Sequence, residues 1–240
     1  MFYFFLPSLM SFDYVLIASA VVPAVFLLIR TYRSDRLEKE PAPMLWGLAA
    51  AGVFSSLIAR VEERVLCAIL DVFLPQSHFL YDVILYFGIV AFAEESSKYL
   101  LLKKRTWNAD AFNCQYDGVV YAVFVSLGFA LWENISYVMA YGIGTALIRA
   151  LTAIPGHACF GVFMGIFYGM AKRADLRGTD TEARLFRALA LLVPSLLHGA
   201  YDYIATSEGG DLYFVGFIAV LFAVSFLLIG RMSKNDRYIR

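Results

Sequence analysis

Charged residues are scarce in this chain of 240 residues, where Asp, Glu, Lys and Arg together make up 17%. Soluble globular domains carry about 25%. Twenty basic and twenty acidic residues give a formal net charge of zero, which excludes a nucleic-acid-binding protein that works through bulk positive charge. Apolar residues make up 60% of the chain and the mean hydropathy is +0.67, so intrinsic disorder and an ordinary soluble domain are excluded too.

Several sequence signals are also missing. The three cysteines, Cys67, Cys114 and Cys159, form no CxxC, so we expect buried thiols rather than a disulfide framework. The chain has no GxSxG, no Ser-Lys pattern and no Gly-rich phosphate loop, which argues against the hydrolases and kinases that need them. Without a Pro/Ser-rich linker or an internal repeat, residues 1–240 are expected to form a single integral membrane domain. The first ten residues lack a basic region and a cleavage site, so no cleaved signal peptide is expected.

Apolar runs long enough to cross a bilayer recur along the whole chain, since about 20 helical residues span the hydrocarbon core. They predict an all-α, polytopic membrane helix bundle with about seven transmembrane helices. The predicted spans lie near 11–30, 44–63, 81–102, 118–141, 147–171, 187–206 and 212–230. The second span either continues to Leu74 as one long or bent element, or is followed by an amphipathic surface helix over 61–76.

The basic residues are distributed unevenly between the loops. Sixteen of the twenty Lys and Arg residues fall in four segments, 30–43, 103–116, 172–187 and 231–240. With seven spans these segments all lie on one side of the membrane, and cytoplasmic loops are the ones that collect Lys and Arg. The distribution therefore predicts an N-terminus outside and a C-terminus in the cytoplasm.

Four of the predicted spans contain polar residues, although a charge at the bilayer centre costs about 2.5–3.5 kcal/mol. These residues are Glu94, Glu95, Lys98, Glu133, Asn134, His157, His198 and Asp202. At about 1.5 Å per residue, they reach the middle or outer half of the bilayer from four separate helices. One buried polar site explains this convergence, although Glu94–Lys98 and His198–Asp202 each also fit an internal structural pair at i, i+4 spacing.

The chemistry open to such a set is the activation of a water molecule. A buried Glu can act as a general base once its surroundings raise its pKa, and two His with a carboxylate can bind zinc with a water in the fourth position. Adjacent Glu94 and Glu95 are 100° apart on a helix, so we expect them to have different roles. The Gly161, Gly165 and Gly169 stripe predicts a close helix contact beside His157. Hydrolysis of an amide within the membrane fits this set.

The order of four motifs resembles the PrsW family of intramembrane proteases over about residues 85–205. The motifs are EExxK at 94–98, FxxxEN at 129–134, the mid-span His157 and HGxxD at 198–202. The PrsW family is itself similar to the CAAX prenyl proteases and their abortive-infection-type relatives. In those relatives the first Glu of the pair is the base, which favours Glu94, and a metal is not always required.

The resemblance implies a membrane-embedded endopeptidase of the metalloprotease type, in a multi-pass bacterial or archaeal cell-membrane protein. It implies a membrane-anchored protein substrate, such as an anti-sigma factor in a signalling cascade, and no nucleic-acid partner. The implied catalytic residues are Glu94, Glu95, Glu133, Asn134, His157 and His198, supported by Lys98 and Asp202. Zn²⁺ or another divalent metal would be bound by His157, His198 and Glu133, unless a metal-free glutamate mechanism operates. A proton- or ion-coupled transporter and a non-catalytic scaffold are the alternatives.

Overall fold

The computed structural model describes residues 5–239, and the described residues fold as an all-helical bundle. The prediction about the first ten residues lies partly outside this range. Within residues 5–239 there are nine α-helices: α1 (Phe5–Ser34), α2 (Ala42–Phe73), α3 (Tyr81–Val83), α4 (Ala91–Thr106), α5 (Asp117–Tyr141), α6 (Ile143–Leu151), α7 (Ala153–Leu176), α8 (Asp180–Thr206) and α9 (Asp211–Lys234). A π-helical segment, Ile84–Val90, joins α3 to α4.

Five helical segments within the described residues are long and apolar enough to cross a membrane. They are α2, α5, the combined segment 143–176, α8 and α9. In α9, only 17% of the most apolar stretch is buried by the protein itself, and in α8 only 28%. Apolar surface of this extent needs a lipid environment, so the chain is an integral membrane protein.

The two other predicted spans are helical as well. The span near 11–30 lies within α1, and the span near 81–102 lies within α3, the π-helical segment and α4. The second of these carries Glu94, Glu95 and Lys98 inside an otherwise apolar run. The α2 helix continues without a break to Phe73, so the first of the two alternatives for this region, a single long element, is confirmed.

The centre of the bundle is the contact between α5 and α7, which depends on glycine residues because they have no side chain. A Cβ on Gly118 would lie 2.7 Å from the carbonyl oxygen of Gly165 and 2.8 Å from the backbone nitrogen of Gly169. A Cβ on Gly161 would lie 2.8 Å from the hydroxyl of Ser126. The glycine stripe therefore lets the two backbones touch, as predicted, and holds His157 next to α5.

Two local features complete the framework around the centre. Gly142, with φ of +84°, ends α5 and lets the chain turn at once into α6. The three cysteines are free thiols: Cys114 and Cys159 are buried and Cys67 is half-buried. This agrees with the expectation that they pack rather than pair.

Candidate active site

The polar residues predicted to converge do meet in one place, between four helices. Helix α4 contributes Glu94, Glu95 and Lys98, α5 contributes Glu133 and Asn134, α7 contributes His157, and α8 contributes His198 and Asp202. Most of them are buried: Glu95, Lys98 and Asn134 have no exposed surface, and His157 and His198 are each 4% exposed. Buried charge is costly unless it is paired, so their mutual contacts decide what the site can do.

Lys98 occupies the middle of the group. Its ammonium lies 2.7 Å from Oε1 of Glu95, 3.3 Å from Oε2 of Glu94 and 3.1 Å from Nδ1 of His157. It also lies 3.9 Å from the ring centroid of Phe129, the aromatic residue of FxxxEN. One cation thus joins both residues of the Glu pair to a histidine on another helix.

His157 is held on its other side by Glu133. Its Nε2 lies 2.8 Å from Oε2 of Glu133, and Nη2 of Arg149 forms an ion pair with the same oxygen at 2.9 Å. The Nε of Arg149 donates to Oδ1 of Asn134 at 3.1 Å. The Glu133-Asn134 pair of the motif therefore binds one arginine, and this arginine anchors the carboxylate that orients His157.

Helix α8 brings His198 to the same Glu pair. Its Nδ1 lies 2.9 Å from Oε1 of Glu95, while its Nε2 faces Oε2 of Glu94 at 3.8 Å and Oδ2 of Asp202 at 3.4 Å. The i, i+4 pairing of His198 with Asp202 is thus observed. The two imidazole rings stand perpendicular, with centroids 5.1 Å apart, and the ring of Phe160 stacks on His198.

Glu94 and Glu95 differ in their surroundings, although both contact Lys98 and face His198. Glu94 lines a cavity, whereas Glu95 is fully enclosed and is absent from the cavity wall. One oxygen of Glu95, Oε2, is buried without a hydrogen-bond partner. The adjacent acids therefore share partners despite their different directions on the helix, but Glu94 is the one that faces open space.

The cavity has a volume of about 610 Å³, large enough for several residues of a peptide. Its wall includes Glu94, Glu133, His157, His198 and Asp202. Further wall residues that the sequence reasoning did not assign to the site are Arg60, Glu63, Arg64, Tyr86, Arg149 and Tyr201. Arg149 lies outside the four basic segments, and its position next to an apolar run is a signal that it needs a partner.

The close packing of α8 explains why the second residue of HGxxD, Gly199, is a glycine. A Cβ on Gly199 would lie 2.6 Å from Cδ1 and 3.0 Å from Cα of Phe87. Phe87 belongs to the π-helical segment that leads into Glu94, and such segments often occur at functional sites. Close packing of α8 on this segment brings His198 next to the Glu pair.

Comparison with known proteins identifies the family of this chain. A family model described as PrsW family intramembrane metalloprotease matches residues 40–229. The chain is 34% identical to Protease PrsW of Geobacillus kaustophilus (strain HTA426), over 94% of both chains. It is 33% identical to Protease PrsW of Bacillus subtilis (strain 168), over 84% of this chain and 88% of that protein. The chain belongs to the PrsW family. No solved structure matches.

Membership in the PrsW family confirms the resemblance and the prediction of an intramembrane endopeptidase. The transporter alternative gains no support from the family or from the described helices. The match begins at residue 40, so it also includes α2, where the sequence reasoning recognised no motif. Because α2 contributes Arg60, Glu63 and Arg64 to the cavity wall, this earlier helix is part of the site.

PrsW proteins are described as metalloproteases, and the donor atoms in this chain suit a metal. Glu94, Glu95, His157 and His198 each offer one ligand atom, all within 4.8 Å of one another, and all four residues are buried. Each histidine has one nitrogen on a carboxylate, Glu133 for His157 and Glu95 for His198, an orienting contact that is usual for metal-ligating histidines. The other nitrogen faces Lys98 in His157, and Glu94 and Asp202 in His198. Glu133 lies outside this group of four, so its predicted role as a ligand stays a prediction.

Proposed function

We propose that Glu94 is the general base of an intramembrane peptide hydrolysis reaction. The observation that carries this assignment is that Glu94 lines the cavity beside Nε2 of His198, whereas Glu95 is enclosed and bonded to Lys98 and His198. A base must reach the water from which it takes a proton. Glu94 can reach water in the cavity, and Glu95 instead orients His198.

His157 and His198 are proposed to bind the metal. A bound divalent metal, Zn²⁺ or another, would polarise the scissile carbonyl and lower the pKa of a water molecule. The chain's own residues prepare this arrangement: Glu133 orients His157, Glu95 orients His198, and Lys98 forms an ion pair with each of the two adjacent carboxylates. Asn134 acts through Arg149, and Asp202 supports His198 from the cavity wall.

The proposed substrate is a membrane-anchored protein that is cut on the outer side of a bacterial cell membrane, with an anti-sigma factor as one member of this class. The cavity wall includes Arg64 and Thr206, near the ends of α2 and α8 that lie away from the basic segments 30–43 and 172–187. Under the proposed orientation, with the N-terminus outside and seven spans, this end faces away from the cytoplasm. The relatives named Protease PrsW are bacterial proteins.

Cleavage of a single-span substrate by the purified chain in liposomes tests the proposal. Glu94→Gln keeps the size of the side chain but removes the base, so cleavage should fall by at least about 100-fold, the usual minimum for loss of a general base. Glu95→Gln should also reduce cleavage, by weakening the orientation of His198. The matched control is Glu208→Gln, an exposed glutamate in the 207–210 connection, which should cleave normally.

Melting temperatures of the three variants separate a catalytic effect from misfolding. If Glu94→Gln folds and still cleaves at the wild-type rate, Glu94 is not the base.

A further inference from the structure

Three acidic side chains meet outside the catalytic cavity, where the connection after α1 approaches the start of α5. Asp35 and Glu40 belong to the connection at 35–41, and Asp117 is the first residue of α5. One oxygen from each lies within 4.8 Å of the other two. Asp35 and Glu40 are each 2% exposed and Asp117 is not exposed at all, so solvent cannot screen their mutual repulsion.

Hydrogen bonds within the chain satisfy only part of this acidic cluster. Oδ2 of Asp117 accepts the backbone N–H groups of Asn113 at 3.0 Å and Cys114 at 2.6 Å, and Oε2 of Glu40 accepts the hydroxyl of Tyr121 at 2.6 Å. Both carboxylate oxygens of Asp35 and Oδ1 of Asp117 are buried without any partner. Buried polar atoms are nearly always bonded, so these three oxygens point to a missing ligand.

Lys39, in the same connection, is not the partner of these three oxygens. The ammonium of Lys39 donates to the backbone carbonyl of Tyr32 at 2.6 Å and to that of Asp35, rather than to a carboxylate of the cluster. Burial raises the pKa of Asp35 to about 6, against the opposing effect of Lys39. Burial likewise raises the pKa of Glu40 to about 7, against the hydrogen bond from Tyr121. Lys39 therefore leaves the three carboxylates without a hydrogen bond from its ammonium.

We propose that Asp35, Glu40 and Asp117 form a second metal site, which binds a hard divalent cation such as Mg²⁺, Mn²⁺ or Ca²⁺. Three carboxylates are an all-oxygen donor set, which these cations prefer and which differs from the His/Glu set of the active site. The sulfur of Cys114 also lies within 4.8 Å of a carboxylate oxygen of Asp117. Its thiol, however, donates to Oδ1 of Asn113 at 3.1 Å, so the three carboxylates are proposed as ligands without it.

The C-terminal tail packs beside the proposed site. Asp236, just after α9, accepts the backbone N–H of Tyr116 at 2.9 Å through Oδ1, and its Oδ2 is buried without a partner. The backbone N–H of Ile239 donates to the carbonyl of Asn113 at 2.8 Å. The tail therefore packs on the segment that leads into Asp117, beside the proposed site, which would join the connection after α1 to the start of α5.

Mn²⁺ binding to the purified, chelator-treated full chain tests this proposal, since bound Mn²⁺ is counted by electron paramagnetic resonance. The His157→Ala/His198→Ala double variant disables the active-site donor set and isolates the second site. We expect this double variant to bind one Mn²⁺ per chain, with a saturable rise in melting temperature. Addition of Asp35→Asn should abolish both effects. Addition of Asp180→Asn, at an exposed aspartate in the first turn of α8, should leave both unchanged.

Competition by Mg²⁺ and Ca²⁺ against the bound Mn²⁺ then ranks the three ions. If the double His variant binds no Mn²⁺ and gains no stability from any of these ions, the proposal is wrong and the acids only share protons. If Asp35→Asn does not fold, Glu40→Gln removes a different ligand and should cause the same loss. In addition, wild-type chain should bind one more Mn²⁺ than Glu40→Gln, and an equal number would overturn the proposal.

Discussion

The ammonium of Lys98 lies 3.1 Å from Nδ1 of His157, and this contact fixes the role of both nitrogens of the ring. An ammonium can only donate, so Nδ1 accepts. Nε2 therefore carries the hydrogen and donates it to Glu133 at 2.8 Å. Nδ1 therefore directs its lone pair at the ammonium of Lys98, which also contacts both carboxylates of the Glu pair.

Replacement of Lys98 should damage both folding and catalysis. In Lys98→Met the volume is kept, but Glu94 and Glu95 lose their shared cation and face each other as buried like charges. Removal of one partner of a buried ion pair costs about 3–5 kcal/mol, so the free energy of unfolding in detergent should fall by about that amount and cleavage should be lost. Lys104→Met, at an exposed position on the same helix, is the matched control. Unchanged stability in Lys98→Met would mean that the Glu pair is not charged.

Glu133 and Arg149 should act as a unit in orienting His157. Glu133→Gln keeps an oxygen for Nε2 but loses the ion pair with Arg149, so cleavage should drop about 10–100-fold while the chain stays folded. Arg149→Gln should have a similar effect, and the double variant should lose far less than the product of the two. Initial rates of cleavage for the four proteins of this cycle provide the measurement. Independent, multiplicative losses would contradict the arrangement.

Gly199 is expected to tolerate no side chain. In Gly199→Ala the new Cβ would lie 3.0 Å from the backbone Cα of Phe87, so α8 must move away from the π-helical segment. Overpacking of this kind costs about 1–3 kcal/mol, and the displaced His198 should reduce cleavage further. The control is Gly216→Ala on α9, where nothing lies within 4 Å of an added Cβ. Thermal unfolding and cleavage rates should both fall in Gly199→Ala and stay at the wild-type values in Gly216→Ala. Wild-type behaviour of Gly199→Ala would contradict the close packing.

Removal of metal tests the catalytic donor set. A chelator should abolish cleavage, and added divalent metal should restore it, since the four grouped ligand atoms suit a metal and the family is described as a metalloprotease. Elemental analysis should find that His198→Ala loses metal, while His78→Ala, at a histidine that does not line the cavity, keeps it. Full activity in chelator would instead support the metal-free glutamate mechanism. The proposed second site has no nitrogen ligand, so its metal should remain in His198→Ala.

Local sequence patterns were enough to identify the polar residues that meet in the candidate site. EExxK, FxxxEN and HGxxD each place their residues within one or two helical turns, and a charge inside an apolar span draws attention because it is costly there. The pairing of His198 with Asp202 follows from i, i+4 spacing alone. The contact of Arg149 with Glu133 does not, because α6 and α5 are brought together by the turn at Gly142 and by packing that no single segment specifies.

The sequence by itself therefore determined that this is a helical membrane protein, which polar residues lie inside its apolar helices and which family it belongs to, because hydropathy, helical spacing and motif order can be read along the chain. The tertiary structure decided which atoms meet. It separated cavity-facing Glu94 from enclosed Glu95, put Lys98 between the Glu pair and His157, and joined Asp35 and Glu40 to Asp117. Such contacts depend on how far each helix is rotated and how closely it approaches its neighbours, and glycine contacts between α5 and α7 set that approach here.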